Sequence, residues 1–225
     1  LYNETNVTTN AREGAGMSTK NLRDTTIQSL RNEIHEGNIK KGEIITESDL
    51  CKRFSVSRTP AREALIELTA NGVLTKVPGK GYQICELSQK AQLEAYELIA
   101  CLDGMAAKLA IPRLTEADFV HMSEILDMID VAVRYKNFKK YYELQQEFHR
   151  VYEAKCGNEQ VQKNLERAKS SVDEYWDMDK EADETFRILA QVNLEHREML
   201  RLFRAGDACA LRNYIEDVHW ADKTF

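Results

Sequence analysis

Apolar residues return at helical intervals from Asn21 onward, at Leu22, Ile27, Leu30 and Ile34. An amphipathic helix is predicted there, closed by Gly37, because glycine takes the left-handed C-terminal position without a Cβ clash. Residues 38–45 lack this rhythm and read as a connector. Thr46 followed three places later by Asp49 is a capping-box pattern, and Leu50 and Phe54 share one face. A short helix is therefore predicted from Glu47 to about Phe54, with Ser55 and Val56 as the break. Ser57 is a good N-cap for a second helix, which admits Pro60 in its first turn because no N–H is needed there. That helix carries an apolar stripe at Ala61, Ala64, Leu65 and Leu68. After Asn71-Gly72, residues 73–77 and 82–85 form short β-branched or aromatic runs around Pro78-Gly79-Lys80-Gly81, which predicts a two-stranded hairpin.

Beyond a short linker at 86–90, six helical segments are predicted, at about 91–110, 115–135, 138–155, 159–179, 181–204 and 207–222. Pro112 with Thr115, Gly157-Asn158 and Gly206-Asp207 supply the stops and starts between them. No repeat period interrupts the pattern, so the second half reads as an antiparallel helical bundle. Residues 1–16 are polar and aperiodic and precede Met17; they read as a tag or disordered extension.

Composition narrows the class. The chain has 225 residues, 43% hydrophobic and 30% charged, with 3 prolines and 10 glycines, which suits a mostly helical globular protein of one large or two modest domains. Cys51, Cys85, Cys101, Cys156 and Cys209 are odd in number and form no C-x-x-C pair, so reduced thiols in a cytoplasmic protein are expected. No window approaches the ~18 apolar residues that span a membrane.

Arg58, Thr59 and Arg62 lie near the start of the second short helix and off its apolar stripe. Two guanidiniums and a hydroxyl thus project from the part of a recognition helix that meets base edges, and arginine can bridge guanine O6 and N7 with two donors. The block from Ser57 to Leu65, SRTPAREAL, resembles the winged helix-turn-helix of GntR-type transcription regulators, whose signature reads SRTPxREAL. Ile34, Gly37, Ile39 and Gly42 are similar to the same family's lead-in. The resemblance implies a fold that is mainly α, with an N-terminal winged helix-turn-helix and small β-hairpin over 17–86 and a C-terminal antiparallel all-α bundle over 91–225. It also makes the hairpin a wing, where Gly79 lets the backbone approach phosphate and Lys80 adds charge. Ser48 stands where members often have an arginine, so one phosphate contact is missing and Ser57, Arg58, Thr59, Arg62, Gly79 and Lys80 are the expected DNA-binding residues. The net charge of -6 divides to suit this: 11 Lys+Arg against 8 Asp+Glu over 17–85, but 19 against 27 over 86–225.

Three of the five histidines, His149, His196 and His219, fall in separate predicted helices beside apolar residues. Imidazoles converging from three helices form an open transition-metal site; the bland alternative is a set of surface or hydrogen-bonded core histidines. The stretches FHRVYEAKCGN (148–158) and EHREMLRLFRAGDACALRNYIEDVH (195–219) resemble the FCD domain of the FadR branch, many of whose members hold a divalent metal with three histidines and an aspartate. The resemblance implies zinc, manganese or nickel and a small carboxylate effector, but Gln145 occupies the aspartate position and weakens the site. Either a weakly held metal has its shell completed by the effector, or the polar cluster binds ligand directly. Ile99 stands where metal-type members place an effector-reading arginine, after Glu97 and before Asp103. Gln145, Ile99 and Asn193, one turn before His196, are the expected effector positions.

The function expected is a homodimeric repressor that binds a palindromic operator and senses a metabolite in its bundle. A three-histidine hydrolase, with Glu143 or Glu147 as general base, and a helical interaction protein without DNA binding are the alternatives.

Overall fold

A computed structural model describes residues 19–173, apart from 36, 41, 86 and 87, and residues 182–221. The reading of residues 1–16, two linker positions and parts of the last helical segments lie outside the described residues. Two compact units share the chain: the described residues up to Thr69 with Lys76–Gln83, and Ala70–Thr75 with the described residues from Ile84 onward.

Along the N-terminal part of the chain α1 runs Thr19–His35, β1 Ile44–Ile45, α2 Glu47–Phe54, α3 Arg58–Ala70, β2 Leu74–Val77 and β3 Gly81–Ile84. The capping box forms as the spacing implies: the Thr46 side chain accepts from the Asp49 N–H, and Asp49 accepts from the Thr46 N–H. Ser55 ends α2 in the left-handed region, at φ 54, which breaks the helix three residues before α3 begins. Ala61, Ala64, Leu65 and Leu68 are buried, with Leu30, Leu50 and Tyr82 also in the interior.

The expected hairpin forms as β2 and β3, and β1 adds a third strand, giving the order β1-β3-β2. Ile44 pairs with Gln83 and Ile45 with Tyr82, antiparallel. Two residues carry no detectable period, which is why the connector concealed this strand. Gly81 allows the pairing: at φ 141 a Cβ would lie 2.5 Å from the Ile45 carbonyl oxygen.

The second unit contains α4 (Gln89–Ala110), α5 (Glu116–Arg134), α6 (Phe138–Glu153), α7 (Glu159–Asp173), α8 (Asp183–Ala205) and α9 (Ala208–Tyr214). A 3-10 turn at Ile111–Arg113 follows α4, and a π-helical turn at Ile215–His219 follows α9. A second capping box, Thr115 with Asp118, starts α5, and Gly206 ends α8 at φ 68. The helices α5 and α6 run antiparallel, since Asp118 meets Lys155; α5 and α8 do too, since Glu116 meets Arg204 and Asp130 meets Asn193. One apolar core lies among α5, α6 and α8, around Met122, Ile129, Tyr141, Phe148 and Phe203. Another joins α4 to α7 through Tyr96, Ile99, Val161, Leu165 and Val172. Among the described residues no helix is long and apolar enough to cross a membrane.

Candidate functional site

Ser57, Arg58, Thr59 and Arg62 are all exposed at or before the first turns of α3, because the stripe that buries Ala61, Ala64 and Leu65 turns them outward. Gly79 and Lys80 are exposed at the hairpin tip, where Lys80 donates its N–H to the Val77 carbonyl at 3.1 Å. A Cβ on Gly79 would meet nothing within 4 Å, so its backbone lies open to a partner. An open depression of about 430 Å³ lies between the helix ends and the hairpin, lined among others by Glu47, Ser48, Arg58, Lys76, Gly79 and Lys80.

Two of these residues escaped the sequence reading. Lys76, on β2, brings a cation to the same depression that Ser48 lines. Glu47 grips Arg62 with both oxygens, at 2.7 Å from Nε and 3.0 Å from Nη2. The hydrogen bond from Arg62 lowers the Glu47 carboxyl, and the charges of Arg62, Arg58 and Lys76 act in the same direction. The acid is thus set among three cations and binds one of them as a fork.

The three histidines converge in the second unit. His149 is buried on the inner face of α6 with Tyr141, Phe148 and Tyr152; His196 is buried on α8; His219 is buried at the end of the π-helical turn. The Nε2 atom of His149 lies 3.2 Å from that of His196 and 3.4 Å from that of His219. Three nitrogens ~2.1 Å from one ion at octahedral to tetrahedral angles lie about 3.0–3.4 Å apart, so the donor set fits a transition metal. Nδ1 of His219 faces Glu195 Oε2 at 3.0 Å; a carboxylate only accepts, so that nitrogen carries the proton and Nε2 is left as the ligand atom.

Behind His149 sits a second set of buried polar groups. Tyr152 donates to Asp103 Oδ1 at 2.7 Å and lies 2.5 Å from His149 Nδ1. Trp220 donates its indole N–H to Asp103 Oδ2 at 2.7 Å. The Lys169 ammonium lies 2.5 Å from Glu153, 3.8 Å from Asp103, and over the Trp220 ring at 5.3 Å. Burial would raise the Asp103 carboxyl, but Lys169 and His149 outweigh it and hold it far below the ordinary carboxylate range. Burial, then the charges of Asp103 and Glu153, push the Tyr152 hydroxyl well above its ordinary value, so it keeps its proton. A signal for Asp103 was present in the sequence: it falls on the stripe Tyr96, Ile99, Ala100, Asp103, Ala107 and Ala110 that α4 buries.

The three expected effector positions are placed differently from one another. Gln145 is half-buried one turn before His149. Asn193 is buried at 1% exposure rather than solvated, and its amide donates to the Leu126 carbonyl at 3.1 Å and to Asp130 at 2.5 Å. Ile99 is packed in the α4 and α7 core, where an aliphatic side chain has no group with which to read a polar ligand. Among the described residues the Tyr141 hydroxyl and Asn193 Oδ1 are buried without a hydrogen-bond partner. The two acids weighed as a general base pair elsewhere: Glu143 lies 3.4 Å from Lys140 and Glu147 lies 3.4 Å from His121.

Residues 22–84 match the family described as bacterial regulatory proteins, gntR family, and residues 94–218 match the FCD domain. Among relatives, the HTH-type transcriptional repressor GlaR of Escherichia coli (strain K12) is 30% identical over 142 residues, 61% of this chain and 64% of that protein. The HTH-type transcriptional repressor RspR of the same organism is 26% identical over 144 residues, 64% of this chain and 63% of that protein. The chain therefore aligns with somewhat less than two thirds of each. The solved structure of E. coli McbR/YncC has the same fold, with a TM-score of 0.75 at 18% identity over 88% of this chain and 93% of that one.

Proposed function

The chain belongs to the GntR family of bacterial regulatory proteins and carries that family's FCD domain, and on that footing we propose that it is a DNA-binding transcription regulator governed by a small metabolite. The N-terminal domain, 17–86, reads operator DNA. Arg58, Thr59 and Arg62 on α3 meet base edges in the major groove, while Ser57, Gly79, Lys80 and the added cation Lys76 hold phosphates. The second unit, 91–225, senses the metabolite and joins two copies, so that two first units meet the halves of a palindromic site. Two relatives are named as repressors, and we read the same direction here, in the cytoplasm.

One observation carries the sensing half: three buried imidazoles with Nε2 atoms 3.2 and 3.4 Å apart. A divalent zinc, manganese or nickel ion would be held by Nε2 of His149, His196 and His219, with the neutral Gln145 in place of a fourth, acidic ligand. When bound, it supplies a positive centre that attracts a carboxylate. The surrounding charges favour this over direct binding of an anion. Among the described residues, Asp103, Glu153 and Glu195 lie beside the histidines and Lys169, so a bare carboxylate meets negative charge that a dication neutralises. Tyr141, two turns before His149, and Asn193, one turn before His196, each hold a buried polar atom without a partner. Leaving such an atom unpaired costs about 1–3 kcal/mol, which a hydroxyl or carboxylate on the effector relieves. Effector binding that prefers one dimer geometry then changes DNA affinity by the difference in its affinity for the two geometries.

Elemental analysis of protein purified without chelator or affinity nickel tests the metal. About one equivalent per chain is expected, lost in H149A and H196A. A content below ~0.1 equivalent, with melting unchanged by added zinc or manganese, refutes it. Selection of bound sequences from a random duplex library tests the reading head. A two-fold symmetric site is expected, and failure to enrich any sequence refutes it.

A further inference from the structure

Proton bookkeeping around Asp103 reveals a role that no ligand of the centre performs. Tyr152 has a single hydroxyl proton, and the carboxylate beside it can only accept, so the proton is given to Asp103 Oδ1 at 2.7 Å. The Tyr152 oxygen, 2.5 Å from His149 Nδ1, must then accept from that ring nitrogen. Asp103 Oδ2 lies 3.3 Å from the same nitrogen and also only accepts. Both neighbours therefore require a proton on Nδ1 of His149, so that Nε2, which faces His196 and His219, is the nitrogen left to serve as a ligand atom. His219 reaches the same state through Glu195. With each Nδ1 so engaged, the two Nε2 atoms face each other across 3.4 Å, the spacing at which one cation is held by both.

The same carboxylate holds the segment that carries His219. Its Oδ2 accepts from the indole N–H of Trp220, the next residue after His219, and Trp220 closes the π-helical turn with an N–H bond of 3.1 Å to Ile215. Asp103 thus ties α4 at once to α6 and to the C-terminal turn. Its carboxylate does not replace the acid missing at Gln145. Asp103 stands on the Nδ1 side of the His149 ring, away from the point where the three Nε2 atoms meet, and Tyr152 and Trp220 occupy its two oxygens. Lys169 is the countercharge that lets an acid at 0% exposure remain ionised there.

We propose that Asp103, acting through Tyr152 and Trp220, is the positioning residue of the histidine centre: it sets the tautomer of His149 and the placement of His219, although it supplies no ligand. The effect on metal rests on the reading of the three histidines as a metal centre; the tautomer does not. Two measurements separate them. In metal-free wild-type protein, multiple-bond proton–nitrogen correlation spectra of the histidine rings are expected to show His149 protonated at Nδ1. Protonation at Nε2 overturns the inference without any variant. Zinc affinity is then measured by chelator competition for wild type, Y152F and D103N, with H149A as the control that lacks a ligand. Y152F removes one oxygen and keeps the packing, and is expected to bind zinc about tenfold more weakly; D103N falls by up to ~100-fold. A merely structural role would lower melting of the metal-free protein and leave the affinity of the folded fraction unchanged. Y152F that folds as wild type does and binds zinc equally well overturns the proposal, even where D103N fails to fold. If wild type binds zinc no better than H149A, the metal reading fails, and the tautomer spectrum alone decides the positioning role.

Discussion

Replacing Arg62 with alanine separates base reading from phosphate holding at the head of α3. Its guanidinium has five N–H donors. Glu47 takes one on Nε and one on Nη2, at 2.7 and 3.0 Å, which fixes the inner edge of the fork. Three donors remain, both on Nη1 and one on Nη2, and this outer edge has the geometry that bridges guanine O6 and N7. Arg62 is 61% exposed and Glu47 29%, so solvent screens the ion pair, it adds little to folding, and R62A should fold normally. The lost base contact amounts to about 1–3 kcal/mol, or roughly 5- to 150-fold in Kd for the selected operator. The assay is titration of that operator and of its single-base variants over a salt series. R62A is expected to bind the operator more weakly, to become indifferent to one base pair in each half-site, and to keep the wild-type salt slope. E47Q should blur the same position while leaving Arg62 in place, since an amide offers only one acceptor to the fork. Equal weakening of R62A on every sequence, with a salt slope lower by about one, makes Arg62 a phosphate contact and refutes the reasoning.

Other perturbations test the remaining parts. K76A should weaken binding uniformly across sequences and lower the salt slope by about one, and adding S48R in the same chain should restore both, because both side chains line one depression; an unchanged slope in K76A removes Lys76 from the interface. G81A should cost about 1–3 kcal/mol or more in unfolding of the first unit and displace β1, since its Cβ meets the Ile45 carbonyl oxygen at 2.5 Å; a neutral G81A, measured by urea unfolding, contradicts the three-stranded sheet. Hydrogen bonds from Lys155 and Thr115 lower the Asp118 carboxyl to about 2. Its folded value lies below its unfolded value, so the stabilisation is complete above about pH 4 and is lost as pH falls toward 2. D118N is therefore expected to unfold about 1–2 kcal/mol more easily than wild type at pH 7, after allowance for solvent screening, with the gap closing near pH 2; a gap independent of pH refutes the linkage.

Helix ends were legible because their causes are local. Thr46 with Asp49 sets the start of α2 by hydrogen bonds within one turn, and Gly206 ends α8 in a conformation that favours glycine. The buried stripe of α3 followed from periodicity alone, and that stripe turned Arg58 and Arg62 outward. Strand β1 was not legible, because its two residues become a strand only by pairing with Gln83 and Tyr82. The surroundings of Ile99 were hidden for a similar reason: its packing with Val161 and Leu165 on α7 joins residues some sixty positions apart.

The sequence by itself determined the order of the helices, the exposed arginines of the reading head and the identity of three histidines on three separate elements. It left Asn193 undecided between a solvated residue and a buried one, and it gave Asp103 no partner. Those matters depend on residues far apart in the chain: Asp103 meets Tyr152, 49 positions on, and Trp220, 117 positions on, while His149 meets His219 across 70. Caps and stripes act within a turn or two, so residue type and spacing reveal them. Burial, charge pairing and the proton of an imidazole depend on what the packed helices bring alongside, and only the tertiary structure decided those.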